Sequence, residues 1–271
     1  MISDIMLGQY LPGDSVIHRL DPRSKIVATF VFISSIFMAE NYAAYGILMF
    51  FAVGAIALGR ISARLMIRSV RPLWVILAFT LAIHILTTNG TVLYSAKFIT
   101  ITQEGIRQGI LMSLRLILLI LMSSLLTFTT SPIALTDGIE TLLNPFRRMG
   151  LPAHELAMMM TIALRFIPTL LEETDRIMKA QMARGADFST GNPIKRAKSM
   201  VPLLVPLFIS AFRRADELAI AMEARCYRGG ESRTRMKELK HGSLDVVAYA
   251  ASFLLVLLLA ILKWKPETLP W

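Results

Sequence analysis

The chain is almost free of cysteine: Cys226 is the single one in 271 residues, which excludes an intramolecular disulfide. Histidine is nearly as scarce, and His18, His84, His154 and His241 are too scattered to form a zinc site. There is no phosphate-binding Gly-rich loop, dinucleotide fingerprint, His-Glu-x-x-His pair or Gly-x-Ser-x-Gly elbow, so the commonest nucleotide, metalloprotease and serine-hydrolase chemistries lack their residues. Carboxylates stand side by side at Glu172-Glu173 and Asp216-Glu217, but adjacent helix positions do not converge on one substrate atom. Solvated or ion-paired helix surface is the better reading of both. Residues 1–25 lack the basic start, apolar stretch and small-residue cleavage site of a signal peptide, so this segment is expected to stay on the mature protein.

What the chain has in excess is apolar surface. Hydrophobic residues make up 55% and the mean hydropathy is +0.57, above the roughly 45–50% of a soluble domain. The composition is that of an all-α membrane protein. Apolar runs occupy residues 26–39, 42–58, 73–86, 109–130 and 246–262. The first three are shorter than the ~20 residues of an upright crossing helix. Only Glu40-Asn41 separates the first two runs, which requires a tight connection. Arg60, Arg64, Arg68 and Arg71 lie between the second and third and place that loop in the cytoplasm by the positive-inside rule. Residues 88–107 contain only Lys97 and Arg107 as cations, which suits the outside, and runs 92–94 and 98–101 suggest a small β-hairpin. Residues 199–212 are apolar too, but the run is 14 residues long and carries Pro202 and Pro206, so it is not read as a span. About five transmembrane helices result, with the N-terminus in the cytoplasm and the C-terminus outside.

The Lys+Arg excess, 29 against 19 Asp+Glu, is concentrated: 17 of the 29 fall between Pro132 and Gly242. Cations tethered to membrane spans fit topology, lipid head groups and an acidic partner better than nucleic acid. The chain is therefore divided into a cytoplasmic N-terminal segment (1–25), transmembrane helices one to four (26–131), a cytoplasmic coupling domain (132–242) and a final span with the C-terminus (243–271). Within 132–242 a short helix is expected at 133–143, a long one at 153–184 kinked at Pro168, and a third at 193–225 interrupted by Pro202 and Pro206. Leu170, Leu171, Thr174, Ile177, Met178, Gln181 and Met182 share one face of the second helix. Leu207, Phe208, Ala211, Phe212, Ala215, Leu218, Ala219 and Met222 share one face of the third.

These two helices end alike. Residues 175–185 and 216–226 recur at an offset of 41, with Asp, Ala and Ala-Arg in register. Each Arg, Arg184 and Arg225, stands just before a helix breaker. A cation near a helix C-terminus gains about 0.3–1 kcal/mol from the dipole, but that does not require the same Ala and the same upstream Asp twice. A duplicated tip suggests two equivalent sockets, where a planar guanidinium meets carboxylates and a small neighbour allows close approach. Two intramembrane groups leave a second reading open: Arg115 and His84 either line a path, as in a membrane enzyme or channel, or make polar contacts inside the helix cluster.

The pair Ala183-Arg184-Gly185 and Ala224-Arg225-Cys226 resembles the two Ala-Arg-Gly signatures of the EcfT family, the transmembrane subunits of energy-coupling factor (ECF) ABC importers. His18-x-Leu20-Asp21-Pro22-Arg23-x-Lys25, Gly150-Leu151-Pro152 and Leu164-Arg165-Phe166-Ile167-Pro168 are similar to that family as well. The resemblance implies a non-catalytic scaffold in a bacterial cell membrane, working with two cytoplasmic ABC-type ATPases and a membrane-embedded S subunit that captures a vitamin or other micronutrient. ATP and Mg would be bound by the ATPases, and no cofactor or metal by this chain. Ala183, Arg184, Gly185, Ala224, Arg225 and Cys226 would contact the ATPases. Leu170, Ile177, Met178, Phe208, Phe212 and Leu218 would hold the S subunit. Cys226 departs from the family glycine, which puts the closeness of the second contact in question and suggests that the two ATPases are non-identical. A cobalt or nickel importer subunit of the same general kind fits the same residues.

Overall fold

The structure is a computed structural model and describes residues 10–96, 99–150, 152–186, 188, 193–227, 229 and 239–264. Residues 1–9, Lys97, Phe98, Leu151 and the end of the final segment, 265–271, lie outside the described residues. Ten α-helices and one β-hairpin are found among those described. They are α1 (Val16–Arg19), α2 (Pro22–Met38), α3 (Tyr42–Leu58), α4 (Ala63–Val70), α5 (Trp74–Thr87), β1 (Val92–Ala96), β2 (Ile99–Thr102), α6 (Gln103–Thr129), α7 (Pro132–Leu143), α8 (Ala153–Ala183), α9 (Pro193–Ala224) and α10 (Ser243–Trp264). The two strands pair antiparallel. α8 and α9 remain single helices through Pro168, Pro202 and Pro206, so the prolines do not end them. Two elements escaped the sequence reading: α1, and α4 inside the basic loop.

Four described stretches are long and apolar enough to cross a membrane: Ala63–Thr87, Gln103–Thr129, Ala153–Ala183 and Ser243–Lys263. α2 and α3, at 17 residues each, are shorter. α8 meets the measure through its apolar first half, although the sequence assigns it to the coupling domain. The helical membrane architecture expected from composition is what the chain adopts.

The chain divides into two compact units. One holds residues 10–138 and 238–271, the other residues 139–237. In the first, α2, α3, α4, α6 and α10 build one core in which Phe32, Ile36, Tyr45, Leu48 and Leu118 are fully buried. α5 packs along α6. A Cβ added at Gly105 would stand 2.8 Å from the His84 carbonyl oxygen, and one at Gly109 would stand 2.9 Å from Leu81 Cδ1. This Gly-x-x-x-Gly pair lets the two backbones approach as small residues do between membrane helices. His84 lies at that contact, as a packing residue.

The His-x-Leu-Asp-Pro-Arg-x-Lys motif ties the first unit together. Asp21 caps α2 by accepting from the Arg23 amide at 2.9 Å, and its own amide donates to Asp245 Oδ1 at 2.8 Å. Lys25 Nζ donates to the carbonyls of His18 (3.1 Å) and Thr129 (2.9 Å), satisfying an ammonium that is otherwise buried. His18 bonds the Leu11 carbonyl at 3.0 Å and Ser15 Oγ at 2.6 Å. Arg23 Nη2 donates to the Leu239 carbonyl at 3.1 Å, and Gly138 packs directly on Pro22. Both ends of the inserted segment 139–237 therefore leave from residues held by the Pro22-Arg23 turn.

Candidate functional site

In the second unit α8 packs on α9, and the contact is marked by an ion pair, Arg214 Nη2 to Glu173 Oε2 at 2.9 Å. These two positions are themselves 41 residues apart, the offset of the repeated tips. The helices thus meet at equivalent points of the repeat. From each partner of the ion pair it is eleven residues to the tip arginine, or ~16 Å of helix at ~1.5 Å per residue. Two arms of equal length run from one crossing. Hydrogen bonding from Ser210, and then the charge of Arg214, holds the Glu173 carboxyl below its ordinary value against the opposing effect of partial burial.

The tips have the same backbone. At the end of α8, the Gly185 amide donates to the Met182 carbonyl (2.9 Å) and the Ala186 amide to that of Gln181 (3.0 Å). At the end of α9, the Cys226 amide donates to Glu223 (2.8 Å) and the Tyr227 amide to Met222 (3.0 Å). This is the paired-bond Schellman closure, with Arg184 and Arg225 in the capping position. Its next residue must be left-handed: φ is +87° at Gly185 and +56° at Cys226. Cys226 accepts a conformation that glycine takes freely and that costs an L-residue about 1–2 kcal/mol. The doubt raised by the missing second glycine concerns chemistry and volume, because the backbone course is unchanged. Ala183, Arg184, Gly185, Ala224, Arg225 and Cys226 are all exposed. The upstream aspartates are less alike: Asp175 pairs with Lys179 at 2.6 Å, whereas the matching position to Lys179 in the second copy is Ile220.

The residues read as a subunit-holding surface divide. Leu170, Ile177, Met178 and Leu218 are half-buried, while Phe208 and Phe212 are exposed at 62% and 69%. Leu204, Val205 and Ile209 on α9 are exposed as well and extend that apolar face, which the sequence reading left out. Arg115 is held within the first unit: Nε donates to the Tyr45 hydroxyl at 3.0 Å and Nη2 to the Ala39 carbonyl at 3.4 Å. No cluster of metal ligands exists among the described residues.

Fold and site together define a helical membrane subunit with an inserted helical pair that ends in two exposed, equivalent arginine tips. A family model described as a cobalt transport protein, CbiQ, matches residues 13–236. Among curated proteins, one from Acidaminococcus fermentans named energy-coupling factor transporter transmembrane protein EcfT is 63% identical over 97% of this chain and 98% of its own length. Proteins of the same name from Thermosediminibacter oceani (60% identical; 93% and 95%) and Bacillus subtilis (48% identical; 97% and 100%) align similarly. The chain belongs to this family of ECF transporter transmembrane subunits, and its part is that of a non-catalytic subunit in a membrane.

Proposed function

We propose that this chain couples ATP hydrolysis by two cytoplasmic ATPases to the movement of a membrane-embedded S subunit that captures a vitamin or other micronutrient. The observation that carries the reading is the pair of exposed arginines, each in the same helix closure and each eleven residues from the Glu173–Arg214 contact. Arg184 and Arg225 each enter an acidic groove on one ATPase, where the guanidinium makes charge-assisted hydrogen bonds to carboxylates. When ATP closes the ATPase pair the two tips are drawn together, and α8 and α9 pass the displacement to the S subunit as a rigid-body or shear movement. The exposed apolar face around Phe208 and Phe212 supplies the contact to that subunit. The coupling unit and N-terminus lie in the cytoplasm, as the loop arginines indicate.

Purification of the native complex tests this. Two ABC-type nucleotide-binding proteins should accompany the wild-type chain and be lost from Arg184→Glu/Arg225→Glu, with the chain itself still in the membrane fraction. ATPases that remain bound to the double variant overturn the assignment of the tips. A cobalt importer is the second reading, favoured by the description of the matching family model. Radiolabelled cobalt uptake by the reconstituted complex, set against vitamin uptake, separates the two.

A further inference from the structure

The end of the first unit that carries the Glu40-Asn41 connection contains a cavity of about 320 Å³. α2 stops at Met38 and α3 begins at Tyr42, whereas α6 runs on past them: from Arg115, beside Ala39, to its first residue Gln103 is twelve residues, ~18 Å of helix. The α2–α3 connection forms the floor and the first turns of α6 form a wall. Arg115 stands at the floor, its guanidinium 5.6 Å from the centre of the Phe37 ring. Arg107, two turns nearer the helix start, lies 5.4 Å from the centre of the Tyr42 ring.

Neither guanidinium has a carboxylate partner among the described residues. The two carboxylates that line the cavity are engaged elsewhere. Glu40 pairs with Lys263 at 2.9 Å, and Glu104 accepts from the Thr91 amide at 2.7 Å and its hydroxyl at 3.0 Å. Arg115 spends donors on Tyr45, Ala39 and the Met112 sulfur, and a guanidinium has five. A guanidinium without a carboxylate partner keeps donors to offer, and its planar fork matches a phosphate oxygen pair. Gln108 adds a polar group to the wall, Leu111 and Met112 give it an apolar stretch, and nearby Phe37 and Tyr42 are exposed at 60% and 41%.

We infer that this cavity binds a phosphate group between Arg107 and Arg115, and that its source is the head group of an anionic phospholipid whose acyl chain follows the apolar stretch of the wall. The inference is independent of the coupling role: it concerns the first unit alone, and the tips and their ATPases do not enter it.

The full-length chain, purified in mild detergent, is offered phosphatidylglycerol, phosphatidylcholine or inorganic phosphate, with lipid retention read by native mass spectrometry and the thermal midpoint by scanning fluorimetry. The wild type should retain one phosphatidylglycerol at least tenfold better than phosphatidylcholine, and Arg107→Gln should lower that retention at least tenfold. Arg115→Gln should act likewise; because Arg115 also holds the α2–α3 connection, Arg107→Gln carries the test on its own. Arg68→Gln, a cation removed from α4, should retain the lipid as the wild type does. A midpoint raised by inorganic phosphate without lipid retention keeps the phosphate site and overturns its lipid source. Equal retention by wild type and Arg107→Gln, or no response to either phosphate source, overturns the site.

Discussion

The two arginine tips of the second unit differ in residue and agree in geometry. Gly185 and Cys226 occupy the same step of the same closure, with φ of +87° and +56° and amide bonds to the equivalent carbonyls. A second glycine is therefore not what shapes the second tip; the network of amides and carbonyls at the end of α9 is, at the expense of some backbone strain in Cys226. What the tips present differs: bare backbone beside Arg184, and an exposed thiol beside Arg225. A partner surface fitted to one tip is not automatically fitted to the other, so the two ATPases proposed above are expected to be similar but non-identical.

That comparison can be broken most severely at the arginines. A desolvated Arg–carboxylate contact is worth about 3–5 kcal/mol when one partner is removed. Arg184→Glu and Arg225→Glu, made singly, should each reduce uptake in proteoliposomes a hundredfold or more. If one of them left uptake near wild type, the two tips would not be equivalent in use. The crossing comes next. Glu173→Arg places two cations against each other where the ion pair was, and should lower the thermal midpoint and uptake. Glu173→Arg/Arg214→Glu, which exchanges the charges, should recover most of both, whereas a double variant no better than the single one would deny the ion pair its role.

Smaller effects separate the tips themselves. Gly185→Val forces a β-branched residue into the left-handed region and should destabilise the end of α8 by about 1–2 kcal/mol, seen as faster amide exchange over residues 181–186. Cys226→Gly relieves the same strain and should stabilise the end of α9 by up to about 1 kcal/mol. Destabilisation by Cys226→Gly would mean that the thiol makes a favourable contact of its own. The smallest effect is one of pH. Because the Glu173 carboxyl is held below its ordinary value, its contribution is complete above that ordinary value and is lost as pH falls through the lower, folded one. The thermal midpoint of the wild type should fall in acid more than that of Glu173→Gln, and the two should show no such pH-dependent divergence near neutrality.

Much of this was legible before any coordinates. The run 42–58 coincides with α3, the ends of α7, α8 and α9 fall within a residue of where the periodicity and breakers put them, and the Ala-Arg tips stand out by repetition alone. The Glu173–Arg214 pair was half legible: Glu172-Glu173 reads as solvated or ion-paired helix surface, and the 41-residue offset applied further up the helices lands on the partner that the sequence reading did not name. Other features depend on distance in space. The small residues Gly105 and Gly109 mark a helix contact only once α5 is known to lie against α6. Arg115 meets the carbonyl of Ala39, 76 residues away, which no local pattern announces. α4 was hidden because its arginines dominate the loop reading while its buried residue is the single Met66.

The Asp21-Pro22-Arg23 turn bears on how such a protein can change. Gly138 rests on Pro22 and the Leu239 carbonyl is held by Arg23, so the chain leaves and re-enters the first unit beside one anchor. An insert with adjoining ends behaves as a cassette: it can be lengthened, shortened or exchanged for that of a relative at little entropic cost of closure, while the spans that surround it keep their packing. The inserted helical pair and the body around it can then diverge at different rates, joined where Pro22 and Arg23 hold the two ends.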